Sequence, residues 1–385
     1  MNKITRNLAI ILLSIFVSAP AAAQEAGIDR SVVMDYMQMQ QYGDALQYIL
    51  PRYDSNSVKD LNLLAYTYYV NGQTNISRNT YQQVLHLDSS NIQALQYIAL
   101  IYSNNEEFER AVDYYQKLVE INPANYYYYK QMGSIYSKLQ QPDSAFANYQ
   151  TAYQLNNKDA RVVSALADIL IDKKDYKYAD SILNQYLFTD SSQLSIINVA
   201  IRSAYNQKDM KRVVSFGDVL VNLHIVSPSA FQYVAVANYY LKEYKDCIKT
   251  FEYLEYFKTA PALVKYYAAL SYTELHDYDK SNELLLACIE ETKSDALGNY
   301  YSALGNNFNQ MKQYRTAIKQ FDTAYYMNRG TYTPYAIATI YDSKMNLPKA
   351  AKRYYQLYLK EANNSEDRNA EVDKYVRERL KQIAQ

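Results

Sequence analysis

Tryptophan is missing from this 385-residue chain, and glycine, proline, histidine and cysteine are scarce at eight, eight, three and two residues. So little Gly and Pro excludes a collagen-like or low-complexity chain and weighs against a fold rich in strands and tight turns. Two cysteines exclude a disulfide framework. Cys247 and Cys288 fall on the apolar stripe of helical segments, in places where parallel segments carry Ala or Leu, and are expected as buried small side chains. His86, His224 and His276 are far apart, with no His, Cys or acidic residue at ligand spacing, so no metal is expected. Charge of one sign is also lacking: 40 Lys+Arg balance 40 Asp+Glu, which excludes the basic footprint of a nucleic-acid binder. A glycine-rich phosphate loop, a nucleophile elbow and a zinc-protease helix are all absent from the sequence. Acidic pairs such as Glu106-Glu107 and Glu290-Glu291 fall near helix ends, where solvated charge is the ordinary outcome. No catalytic residue and no cofactor is expected.

What the chain has in excess is tyrosine: 45 residues, against 10 Phe. Tyr joins a large apolar ring to a hydroxyl that seeks a partner, so it can line helix seams and still present a wettable surface. The N-terminal segment is different in kind. Lys3 and Arg6 precede an apolar stretch from Leu8 to Val17, and Ala21-Ala22-Ala23 follows. The pattern predicts a secretory signal peptide over residues 1–23, too short to span a bilayer. The expected location is therefore outside the cytoplasm, in a bacterial periplasm, with no transmembrane segment. In a eukaryotic source Asn75-Ile76-Ser77 would be a glycosylation acceptor.

From Ile92 to Lys158 one 34-residue pattern is written twice. Leu95, Ile98, Ala99, Tyr102, Ala111, Tyr115 and Leu118 are answered by Tyr129, Met132, Gly133, Tyr136, Ala145, Tyr149 and Ala152. Apolar residues recur at helical spacing in each half, which predicts a pair of amphipathic helices. Weaker copies run from about Ala26 to Asn364, room for about ten units. The pattern resembles the tetratricopeptide repeat (TPR), whose helix–turn–helix units stack side by side. That resemblance implies an all-α fold, a right-handed superhelical solenoid over residues 24–364.

The weakest unit is 194–227, where Val214 replaces the expected small residue and Asp218 the expected aromatic. It reads as a degenerate repeat more than as a hinge. Residues 365–385, with Val372, Tyr375, Val376, Leu380 and Ile383 in a narrow stripe, are expected to form a capping helix.

The resemblance further implies a concave wall built from the first helices, accepting a peptide or helix of a partner protein. First-helix residues off the packing stripe are then the candidates: Gln96, Tyr127, Lys130, Ser134, Lys138, Arg161, Asp168, Tyr240, Tyr266, Asn306, Asn309 and Tyr335. In the run Tyr126 to Tyr129, Tyr129 is expected in the core and Tyr127 in the groove. Some family members clamp a terminal carboxylate with a Lys/Asn/Lys/Arg set. Here Lys130 and Lys138 are basic, but Ser134 and Ala165 stand where Asn is needed. The expected function is a non-catalytic interaction scaffold of the cell envelope. A carbohydrate-binding module using the same Tyr, Asn and Ser residues is the alternative.

Overall fold

A computed structural model describes residues 27–291, 296–363 and 369–384. The expected signal peptide lies outside the described residues, as does the proposed boundary at 364/365. Among the described residues there are twenty-one α-helices, one π-helical turn and no strand. They fall into two compact units, one ending at Asn157 and one beginning at Lys158, and each is an all-α stack of helix pairs. The boundary is not in 194–227, which lies within the second unit.

The first unit holds α1 (Arg30–Gln38), α2 (Tyr42–Ile49), α3 (Val58–Val70), α4 (Thr74–Leu87), α5 (Ile92–Asn104), α6 (Phe108–Ile121), α7 (Tyr126–Lys138) and α8 (Pro142–Leu155). The second begins with α9 (Ala160–Asp172), α10 (Tyr176–Thr189), α11 (Leu194–Asn206), α12 (Met210–Asn222), α13 (Pro228–Tyr240) and α14 (Tyr244–Tyr256). It continues through α15 (Ala262–Glu274), α16 (Tyr278–Glu291), α17 (Leu297–Gln310), α18 (Tyr314–Met327), α19 (Tyr332–Thr339), α20 (Pro348–Ala362) and α21 (Ala370–Ala384). Odd-numbered helices up to α19 are the first of each pair. A π-helical turn, Ile340–Lys344, extends α19.

Short-range chemistry sets the ends of these helices. Asn91, Asn125 and Asp159 cap α5, α7 and α9, each accepting from backbone amides of the first turn. First helices end on a residue of positive φ, as at Glu106, Gln140, Lys174, Lys208, Lys242, His276 and Lys312. The next amide then reaches back five residues, as from Asp175 to the Leu170 carbonyl at 2.8 Å, which closes the helix end. Among the described residues only Gly72 supplies the left-handed turn without steric cost.

Inside each pair a small residue on the first helix faces a large one on the second. A Cβ on Gly133 would lie 3.0 Å from the Tyr149 ring, and one on Gly305 2.7 Å from Phe321. Ala65, Ala99, Gly133, Ala167, Ala235 and Ala269 occupy the small slot, in register with Tyr81, Tyr115, Tyr149, Leu183, Phe251 and Leu285. The α11–α12 pair reverses this, with buried Ile201 on the first helix and Gly217 on the second. Here the sequence reading was one residue out of register. The buried stripe of α12 is Val213, Gly217 and Leu220, because α12 starts at Met210, one full period after α10.

Tyr128 is a second correction. It is the buried ring of the tyrosine run, while Tyr127 and Tyr129 are half-buried against the same core. Cys247 and Cys288 are buried free thiols, both pushed up to about 11 by burial. At the far end of the second unit α21 lies on α20, with Val376 fully buried among Tyr355, Tyr358 and Ala362. Arg379 donates two hydrogen bonds of 2.8 Å to Asp342 in the π-helical turn, and Tyr355 donates a third at 3.1 Å.

Candidate functional site

Among the described residues no three His, Cys, Asp or Glu gather as metal ligands, and no helix is long and apolar enough to cross a membrane. What the structure builds instead is a wall of first helices in the second unit, polar at one end and aromatic along most of its length.

Its polar end is on α9 and α11. Asp168 and Arg202 occupy equivalent positions on successive first helices and are ion-paired, with Asp172 3.7 Å from the same guanidinium. Burial raises the Asp168 carboxyl above its usual range, and Arg202 opposes the rise. A hollow of about 280 Å³ opens here, lined by Asp168, Asn198, Arg202, Ser229 and Tyr233 among others. Arg161, on the same α9, is exposed.

Tyrosines continue the wall. Tyr205 and Tyr233 meet edge to face at 4.9 Å, Tyr239 and Tyr267 at 5.3 Å, and Tyr266 and Tyr300 are tilted at 5.2 Å. Tyr240 is 62% exposed at the surface of this cluster, 6.3 Å from the Tyr267 ring. Rings at these separations hold one another in edge or offset arrangements. Burial pushes the Tyr266 hydroxyl up to about 12, and Tyr267 is raised by burial and by Tyr240 beside it. The hydroxyls therefore stay protonated at any physiological pH and serve as donors.

A second hollow, of about 260 Å³, lies between α15, α17 and α19, lined by Tyr266, Asn299, Ser302, Asn306 and Tyr332 among others. Tyr332 donates to Asn306 Oδ1 at 2.7 Å. Behind it runs a buried polar chain: Thr273 donates to Asn307 Oδ1 at 2.8 Å, and Asn307 donates to Ser281 and Asn282 at 2.9 Å each. Asn309 Oδ1 is buried without a hydrogen bond. Tyr335 leans on Tyr358 at 5.6 Å near α21.

Of the twelve sequence candidates, seven thus stand in the second unit. Asp168 lines the first hollow, Tyr266 and Asn306 the second, and Tyr240 sits between them in chain order. The other five are in the first unit, and four of them have local partners. Lys130 lies over the Tyr126 and Tyr127 rings at 5.6 and 5.7 Å. Ser134 is beside the Tyr149 hydroxyl, and Lys138 stands over Phe108 of α6 at 5.4 Å. Gln96 is half-buried on α5, and Tyr127 is edge-on to Tyr128 at 6.3 Å.

Sequence reasoning missed Arg202, Tyr233, Tyr267 and Tyr332. The signal was in the spacing: Asp168 and Arg202, Thr273 and Asn307, and Tyr266 and Tyr300 are each one repeat of 34 residues apart.

Comparison with known proteins adds the following. Residues 92–125 and 126–159 each match the family model described as "Tetratricopeptide repeat". No curated protein sequence matches. Solved structures with similar stretches include one titled "MamA 41-end from Desulfovibrio magneticus RS-1", at 18% identity, TM-score 0.39, covering 43% of this chain and 94% of that one. Another, "Functional Characterization of Pseudomonas Aeruginosa pilF", has 18% identity and TM-score 0.44, covering 52% of this chain and 92% of that one.

Proposed function

We propose that this chain, a tetratricopeptide-repeat protein, is a non-catalytic scaffold that holds a peptide or helix of a partner protein against the first-helix wall of its second unit. The observation that carries this reading is the run of clustered tyrosines on α11, α13, α15 and α17, flanked by two hollows. A Tyr side chain buries much area while losing little rotamer freedom, and its hydroxyl can satisfy a partner's backbone. The hollows supply side-chain pockets, one rimmed by the Asp168–Arg202 pair and one by amide and hydroxyl groups. A site in the cell envelope, reached by export to a bacterial periplasm, is supported by the basic, apolar and Ala-rich segments within residues 1–23.

The test is site-specific photo-crosslinking in the native host, with probes replacing Tyr240, Tyr266 and Tyr335, and Lys319 on the exposed face of α18 as control. A discrete adduct with a different protein, from wall positions only, is the expected result. Adducts that are equal at Lys319, or absent everywhere, or formed only with a second copy of this chain, defeat the reading.

A further inference from the structure

A cleft of about 840 Å³ lies between α12 and α14, with α13 as its floor. Its α12 wall is bare at Gly217, where the neighbouring second helices carry Leu183 and Phe251, and Val234 of α13 closes on the exposed backbone. The lining is apolar at Phe231, Val234 and Tyr253 but includes one buried amide. Asn238 is 4% exposed; its Nδ2 donates over a long 3.5 Å to Thr250, and its Oδ1 accepts no hydrogen bond. That oxygen therefore keeps its acceptor capacity for a donor brought into the cleft.

Beside the cleft stands a ridge at the end of α14. Phe257 meets Tyr253 at 5.4 Å and Tyr256 at 5.0 Å, yet Tyr256 is 82% exposed and Phe257 45%. Two large exposed rings adjoining an open cleft mark an interaction surface. The rim carries both signs: Lys211 and Asp218 on α12, and Glu243 at the start of α14 beside the Asp246–Lys249 ion pair.

We propose that a second copy of this chain fills the cleft. Two copies meet about a twofold axis, each inserting Tyr256 and Phe257 between α12 and α14 of the other. The Tyr256 hydroxyl then donates to the Asn238 Oδ1 that has no donor within its own chain. A closed twofold interface requires knob and hole on one face, which is the arrangement found. It also requires a rim complementary to itself. Lys211 facing Asp218 or Glu243 of the other copy meets that requirement, whereas a partner of one sign would leave half the rim unpaired. The ridge and both cleft walls are on second helices, and α13 contributes the floor through Phe231, Val234 and Asn238, so the exposed Tyr240 stays free in the dimer.

Sedimentation equilibrium of the purified full-length protein tests it. The wild type is expected at about twice 44.7 kDa at micromolar concentration. Tyr256→Ala with Phe257→Ala, both at exposed positions, should raise the dimer dissociation constant at least ~100-fold. Val221→Glu, on the exposed part of the cleft wall, should do the same, with circular dichroism unchanged in both. Mixed together, the two variants should form a heterodimer more tightly than either self-associates, because each keeps the half that the other has lost. Tyr240→Ala, on the first-helix wall, should leave the dimer intact. A monomeric wild type, a dimer that survives both the ridge and cleft variants, or a dimer lost only in Tyr240→Ala would each overturn the proposal.

Discussion

The α7–α8 and α11–α12 pairs solve one packing problem with opposite assignments of size. In the first, Gly133 lets Tyr149 of the second helix lie directly on the backbone of α7. In the second, Ile201 supplies the bulk from the first helix and Gly217 gives way. Close packing demands that facing volumes fill a layer, not that a given helix carry them. The choice matters outside the seam. A ring on the second helix fills the space beside it, whereas Gly217 admits Val234 from α13 and leaves the cleft open.

The hardest way to break the comparison is Tyr149→Ala. Removing a buried ring that sits against a glycine leaves a void with no side chain able to refill it, and ~3–5 kcal/mol of stability should be lost. Urea denaturation reads this as a lower midpoint at unchanged slope. A loss below about 1 kcal/mol would mean that α7 and α8 collapse together, against the rigid seam described above.

A sharper probe is a double-mutant cycle on Gly217 of the reversed pair. Gly217→Phe alone drives atoms into Val234 of α13, 2.7 Å from where its Cβ would stand, and Val234→Ala removes that obstacle while leaving a void of its own. Together the new ring takes up the vacated space, so the double variant should be milder than the sum of the singles by ~1–3 kcal/mol. Strict additivity would show that volume does not trade between α12 and α13. The smallest effect concerns the turns, where φ is 56° at Gln140 and 60° at Lys208. Glycine at either should gain about 0.5–1 kcal/mol, equally in both pairs, since the reversal is confined to the seam. Unequal gains would carry the difference into the turns.

How much of this could be read from the sequence follows from the same contrast. Helix pairs, and the small slot at Ala99 and Gly133, were legible because a 3.6 periodicity inside a 34-residue period is a strong double constraint. The α12 stripe was misread because Val214 and Phe216 are apolar too, and local hydrophobicity cannot distinguish adjacent registers once the aromatic marker is gone. Tyr128 was missed for a related reason: in four consecutive tyrosines every helical face carries the same residue. At the candidate wall, single-helix reasoning found Asp168, Tyr240 and Tyr266 but not the groups they meet. Those partners sit on the next first helix, and for Asp168 with Arg202 and Tyr266 with Tyr300 the separation is the 34-residue period itself.

A stack of repeats is a crystal in one dimension, and such a crystal offers a growth face to its own kind until something poisons it. In the second unit α21 is the poison, covering Tyr355, Tyr358 and Ala362 of α20. Two carboxylates fasten it: Asp342 of the π-helical turn, and Asp373 of α21 itself, which accepts from Tyr358 of α20 at 2.8 Å. Hydrogen bonds from Arg379 keep Asp342 below the usual carboxylate range, outweighing the cost of its burial. A lowered folded pKa contributes stability above the unfolded value of ~4 and loses it as pH falls through the lower folded one. Where the array stops therefore depends in part on protonation: acid loosens one of the two carboxylate anchors that keep the last pair of helices covered.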